Sequence, residues 1–411
     1  MQQDKGINST QKEPASRLLE GVRVIEFGSF LAGPLMTRIL ADFGAEVIKL
    51  ETPKGGDENR NFGKKAGGAS YSWFLQARNK KSVTCNLHHP KGQELARKLA
   101  GASQIVVENF RPGRMASWGL GYDELRKSNP RLVMVHVAGF GQNGPYHERT
   151  GFGSVAEAMG GVRYLTGEPG RPSVRTGFAL GDTLAALYSS FGAIAALRHA
   201  ERTGEGQEID VAITEAVVSV LDDIILEFSA LGLVREPRGP NLGGGVPSNT
   251  YKCADGRSVV IGAHSDSIYR RLMKVIGKPE LADDPRYSTN AARVKHREEV
   301  DGVVAAWTGQ HDCPTVVAKL NEDGIPSGPI YTSADIVKDP HYRERQAVTD
   351  VWIPELERSL TMQGIVPKFS ATPGSIRWTG PKLGSHNDEV YRGLLSLTDS
   401  QVAELRAEGA I

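Results

Sequence analysis

Cysteine is scarce in this 411-residue chain: Cys85, Cys253 and Cys313 are far apart and odd in number. No CxxC pair occurs among them, which argues against a zinc site or a disulfide framework and for a reducing setting. The ten histidines are scattered, with His88 and His89 beside Pro90 and no HxxxH or HExxH, so no metal is expected. An excess of one charge is also missing: 49 Lys and Arg meet 48 Asp and Glu, a formal net charge of +1. That balance gives no electrostatic case for nucleic acid or an anionic membrane. No apolar run approaches the ~18–20 residues of a membrane span. The first 17 residues are polar, contain acids and lack an apolar h-region, unlike a secretory signal or a mitochondrial presequence. A polar, mobile tail over 1–17 and a cytoplasmic location are therefore expected.

What is present is ordinary globular composition, 39% hydrophobic and 24% charged, over a length that suits two domains. "GVRVIEFG" (21–28) reads as a strand, "AGPLMTRILADFGA" (32–45) as a helix with Pro near its start and Gly at its stop, and "EVIKLE" (46–51) as a second strand. Helices over 90–102 and 121–130 alternate with strands over 104–110 and 131–141. "DTLAALYSSFGAIAALRHAERTG" (182–204) reads as a long helix capped at Asp182 and stopped at Gly204; a strand (207–213) and a helix (214–232) follow. Such alternation predicts an α/β fold with a parallel sheet wrapped by helices. The run "VREPRGPNLGGGVPSN" (234–249) breaks the pattern and marks a boundary. A hairpin turning at Asp255-Gly256, helices to about 323, strands near 347–354 and 360–366 and a capped helix at the end complete the chain.

Familiar chemical signatures are missing. The first strand–helix turn is "FGSFLAGP", not GxGxxG; "GGG" at 243–245 lacks the P-loop frame; and there is no GxSxG elbow. Cys85, in "KSVTCNL", reads as core, and Ser29 has no base partner in the sequence. Arg78, Lys80, Lys81, Arg111 and Arg114 stand beside predicted strand ends, as a solvated face or a phosphate rim. Gly243–Gly245 reads as a linker or a lid, glycine allowing positive φ and close approach to a ligand. Asp182 reads first as an N-cap, and a helix N-terminus also favours an ionised carboxylate.

The stretches "LLEGVRVIEFGSFLAGP", "GAEVIKLETPKGGDENR", "NKKSV", "VVENFRPG", "GLGYDELRKSNPRLV", "GFGQNGPY", "TGEGQEIDV" and "PKLGSHNDEV", in this order, resemble the class III CoA-transferases from about residue 18 onward. That family includes formyl-CoA transferase, carnitine CoA-transferase and succinyl-CoA-dependent dicarboxylate transferases. The resemblance implies a Rossmann-like large domain that takes both chain ends, over 18–233 and again over 336–411, a linker and smaller α+β domain over 234–335, and a homodimer of two interlocked ring-shaped chains. Its nucleophile, an Asp after a Gly at the start of the long helix, falls on Asp182, and Gly181 would leave room for the thioester. The carboxylate would pass through a mixed anhydride and an aspartyl-CoA thioester, with CoA as substrate and no tightly bound cofactor or metal. An aspartate carboxyl of ordinary pKa, about 3.9, needs no general base to be ionised at neutral pH. Gly243, Gly244 and Gly245 match the family's closing loop, which keeps out water. Ser29, Phe30, Leu31 and Ala32 match its CoA-binding turn, and Asn109 and Phe110 further CoA contacts. Thr52 and Ser117 stand where some members carry a basic residue, so Arg60, Lys80, Lys81 or Arg111 is expected to hold the phosphates. Phe152 occupies the place of the histidine used by the related α-methylacyl-CoA racemases, which favours transfer over racemisation. Phe152 and Gly153 also depart from the oxalate-specific formyl-CoA transferases, and the chain looks closer to the succinyl-CoA–dicarboxylate branch than to these or to the carnitine type. Arg175 is the candidate cation for the acceptor's second carboxylate.

Overall fold

In a computed structural model, which describes residues 17–411, the chain forms two compact units. The tail assigned to 1–17 lies outside the described residues apart from Arg17. The first unit takes the residues up to Val162, Thr176–Asp222 and Pro340–Ile411; the second takes Arg163–Arg175 and Asp223–Asp339.

The first unit is built on six strands: β1 (Arg23–Glu26), β2 (Glu46–Glu51), β3 (Lys80–Thr84), β4 (Ile105–Glu108), β5 (Val133–Ala138) and β6 (Glu208–Ala212). Their order across the sheet is β3-β2-β1-β4-β5-β6, and every pair is parallel. This is the doubly wound order, whose connections reverse between β1 and β4. Side chains alternate across the sheet, so each face has its own core. Val24, Val47, Ile105, Val133 and Val135 pack against helix α1 (Ala32–Asp42) and against α4 (Leu180–Thr203). Ile25, Ile48, Val106 and Met134 pack against α2 (Pro90–Gly101) and against Val390, Val402 and Leu405 near the end of the chain. Cys85 belongs to that second core, where burial pushes its thiol up to about 12. A short helix, α3 (Gly153–Met159), precedes α4. By length and composition α4 could cross a membrane, a feature the search for apolar runs did not find. In the fold its small side chains Ala185, Ala193, Ala196 and Ala200 lie in the core.

The second unit has three antiparallel strands, Ser248–Lys252, Ser258–Gly262 and Ser327–Pro329. The expected turn is there, with Gly256 at φ 81°. Val259, Ile261, Leu272, Val304 and Val316 form its core, which also takes in Cys253 and Cys313.

Three expectations need correction. The helix assigned to 214–232 is two helices, Ile213–Val218 and Ile224–Leu231, with Asp222 in a left-handed conformation (φ 51°) between them. The second unit begins at Asp223 rather than at 234, because Arg235 pairs back onto Asp223 and Glu227. It also includes Arg163–Arg175, joined to it by Gly239 N–H to Gly167 O (2.9 Å) and by the Tyr164 hydroxyl to Glu236 (2.8 Å). It ends at Asp339 rather than 335, since Arg257 holds Asp335 within the helix Ser333–Ile336.

Candidate active site

Ligands of open parallel sheets sit beyond the carboxyl ends of the strands where the connections reverse. Here the turn after β1 (Ser29–Ala32) and the segment after β4 (Asn109–Phe110) meet at that place. The Asn109 side chain takes both polar groups of Ser29: Ser29 N–H donates to Asn109 Oδ1 (2.8 Å), and Asn109 Nδ2 donates to Ser29 O (2.8 Å). Phe30 is left-handed at φ 67°, uncommon for a residue with a side chain. These residues line a cavity of about 200 Å³ together with Phe152 and Asp182. Nine of the residues assigned from the sequence thus converge: Ser29, Phe30, Leu31, Ala32, Asn109, Phe110, Arg111, Phe152 and Asp182.

Asp182 is not a cap. Helix α4 starts at Leu180 after Ala179, which has no capping side chain, so Asp182 is the third residue of the first turn. The otherwise orphan amide of Gly181 instead donates to Oε1 of Glu157 on α3 (3.2 Å), a residue 1% exposed. Gly181 does not face the cavity: a Cβ there would meet Ile213 and Gly153 O at 3.0 and 3.3 Å. The glycine that makes room is Gly153, where a Cβ would lie 2.2 Å from Asp182 Oδ2. Its missing side chain lets the half-buried carboxylate lie against the start of α3.

Three of the four cations assigned to the phosphates, Lys80, Lys81 and Arg60, do not join them. Lys80 is 1% exposed and bound to Glu26 (2.8 Å) and Pro34 O (2.7 Å); burial and the Lys49 charge bring it down to about 8, against the pull of Glu26. Lys81 pairs with Glu46 (2.5 Å) and Glu389 (2.7 Å). Both open β3, so they stand at the amino end of the sheet rather than the ligand end. Arg60 is held by Glu51 (2.7 Å) over the Trp73 ring (3.7 Å). The fourth, Arg111, does line the cavity, together with Arg149 and His147. Arg111 donates to Thr150 Oγ1 (3.2 Å), Arg149 lies over the Tyr146 ring (3.6 Å), and His147 Nδ1 meets Gly144 O at 2.8 Å. Sequence reasoning missed His147 and Arg149. The signal was "HERTGFG", a charged cluster directly before Phe152. His147 supplies the cavity with a second titratable side chain that Phe152 had been read as excluding.

Arg175 is exposed, is counted with the second unit, and is not among the residues lining this cavity. Gly243–Gly245 also belong to the second unit. Their carbonyls are tied by Arg297, to Gly243 O (2.8 Å) and Gly245 O (3.5 Å), and by Asn290, to Gly244 O (2.8 Å). None of the three has a positive φ, so left-handed freedom is not what they supply. Close approach is: a Cβ on Gly243 would lie 1.5 Å from the Arg238 guanidinium.

The family model described as CoA-transferase family III matches residues 19–387. A succinyl-CoA–D-citramalate CoA-transferase of Chloroflexus aurantiacus is 46% identical over 98% of this chain and 100% of its own length. A succinate–glutarate CoA-transferase of Agrobacterium fabrum is 34% identical over 92% of this chain and 95% of its own. Among solved structures, a CAIB/BAIF family protein from Brucella suis superposes with a TM-score of 0.82 at 32% identity, covering 92% of this chain and 99% of that one. A match of this extent, on a doubly wound sheet with the family's motifs gathered at its ligand end, means that the chain belongs to the CoA-transferase family III.

Proposed function

We propose that this protein moves CoA from succinyl-CoA to a dicarboxylic acid with Asp182 as the nucleophile. The observation that carries this is the meeting of the Asp182 carboxylate with the turns after β1 and β4 in one cavity. The names of the relatives, succinyl-CoA transferases to citramalate and glutarate, support the donor and the acceptor class. In the first step an Asp182 oxygen attacks the thioester carbonyl, the C–S bond breaks, and a mixed anhydride and CoA thiolate form. The thiolate attacks the aspartyl carbonyl, succinate leaves, and an aspartyl-CoA thioester remains. The acceptor carboxylate attacks that thioester and releases the thiolate. The thiolate then attacks the acceptor acyl carbon, giving the new acyl-CoA and free Asp182. Activated carboxyl is exchanged for activated carboxyl at each step, so the thioester's free energy is retained. Arg111 and Arg149 are the cations placed to take the acceptor's second carboxylate. Gly243–Gly245 acts as a lid that keeps water from the anhydride, moving as a loop whose carbonyls Arg297 must release. Two chains form the working dimer, interlocked as the family resemblance implies. Leu187, Phe191 and Ile194, exposed at 52%, 76% and 37% along one face of α4, are the apolar surface the second copy covers.

Asp182→Ala is expected to lower transfer by about 10³-fold or more while CoA still binds. Hydroxylamine added after succinyl-CoA should mark residue 182 in the wild type alone; full turnover by the variant would overturn the mechanism. His147 in the cavity supports a second reading, proton exchange at an acyl Cα. The same enzyme incubated in D₂O with a 2-methylacyl-CoA decides between them, since transfer predicts no deuterium at Cα.

A further inference from the structure

Four consecutive backbone polar groups in the turn after β1 are each taken by a side chain. Lys49 Nζ donates to Gly28 O (2.8 Å), Asn109 takes the N–H and the C=O of Ser29, and the Phe30 N–H donates to the Asp57 carboxylate (3.1 and 3.3 Å). Lys49 and Asp57 also bind each other at 2.6 Å, and both are buried, at 2% and 4% exposure. The remaining ammonium contact of Lys49 is Glu26 (2.6 Å), at the end of β1. Asp57 is fixed in turn by its own N–H to Glu51 (3.0 Å) and by the Asn59 N–H (2.7 Å). This pair therefore grips the turn from both ends, the Gly28 carbonyl and the Phe30 amide. Phe30, whose amide is the second of those grips, sits at φ 67°, its ring edge-on to Phe62 at 4.8 Å. A residue with a side chain disfavours that conformation and holds it only where the surroundings over-determine it, which happens chiefly at functional sites.

We infer that the buried Lys49–Asp57 ion pair is a positioning device for the CoA site, holding Phe30 left-handed so that this turn forms the wall of the cavity that also contains Asp182. The inference rests on the CoA-transferase reading given above. Neither side chain lines the cavity, so both act through the turn.

A double-mutant cycle separates positioning from general stability. Coenzyme A affinity is measured by calorimetry for the wild type, Asp57→Ala, Phe30→Gly and the double variant. Glycine adopts positive φ without side-chain cost, so the turn no longer needs Asp57. Asp57→Ala is expected to weaken CoA binding about tenfold when Phe30 is present and less than about twofold in the Phe30→Gly background. Equal losses in both backgrounds, or no loss in either, would overturn the inference. If Asp57→Ala does not fold, Asp57→Asn takes its place: it keeps an oxygen for the Phe30 amide but loses the ion pair, and the same inequality is expected. A transfer assay on the wild type runs beside the cycle. CoA binding without transfer would overturn the proposed function and leave the positioning role to the cycle; no CoA binding would overturn both.

Discussion

At position 153 a missing side chain decides where the proposed nucleophile lies. The space a Cβ would fill there is held by the Asp182 carboxylate, 2.2 Å away. Gly153→Ala should push that carboxylate aside while disturbing little else, because Gly153 opens a helix rather than occupying a left-handed turn. A displacement of about 1 Å at a reacting group is enough for a roughly 10²-fold loss. The expected result is a kcat fall of that order with the thermal midpoint nearly unchanged; a variant with wild-type kcat would show that the close approach has no catalytic meaning. The place of Asp182 in the cavity was legible in the sequence, though only through the motifs around it, since local physics pointed to a cap. Gly153, Glu157 and Asp57 were not legible, because each acts across space on a residue far away in the chain. Three of the four cations assigned to CoA failed for a related reason. Lys80, Lys81 and Arg60 look free in a sequence, and only the fold shows the carboxylates that claim them.

Elements were easier to read than their connections. Five of the six strands of the parallel sheet were read as strands, β3 showed only as the stretch around Cys85, and helix α4 was read as a long helix stopped at Gly204, which has φ 82°. The break at Asp222 was invisible because "SVLDDIIL" contains neither Gly nor Pro. Across the sheet three neighbouring strands are tied by one imidazole. His136 on β5 meets Glu108 on β4 at 2.5 Å and Glu208 on β6 at 3.1 Å. The second oxygen of Glu108 accepts the Phe110 N–H (2.7 Å), so this tie reaches the cavity wall. Burial alone would lower the imidazole's pKa, but the hydrogen bonds and charges of the two carboxylates outweigh it and raise it above its ordinary value of 6.5. A raised folded-state pKa contributes stability that is fully present below the unfolded value and fades as pH rises through the folded one. The thermal midpoint should therefore decline from about pH 6.5 upward. His136→Gln should flatten that part of the profile and lower the midpoint below pH 6.5. An unchanged slope in the variant would assign the pH dependence to other groups.

For the whole molecule, the sequence made a discontinuous large unit legible, with its late return near the chain's end, but placed its boundaries several residues away from Asp223 and Asp339. The Gly- and Pro-rich run that drew the eye lies inside the second unit, where Arg235 and Arg297 fasten it. The apolar face at Leu187, Phe191 and Ile194 leads to a prediction at this scale. Sedimentation should find two chains per particle, and Phe191→Asp should abolish that species. If the chains are interlocked, tagged and untagged dimers mixed under native conditions should not exchange subunits over days, whereas exchange within minutes would mean an ordinary side-by-side dimer. The late return also orders events in time. Val390, Val402 and Leu405 complete one face of a sheet whose last strand ends at Ala212. At about 5–20 residues per second that face waits roughly ten to forty seconds for its cover during synthesis. In that interval nearly all of the second unit emerges and can finish its own core, so the unit begun first is the one completed last.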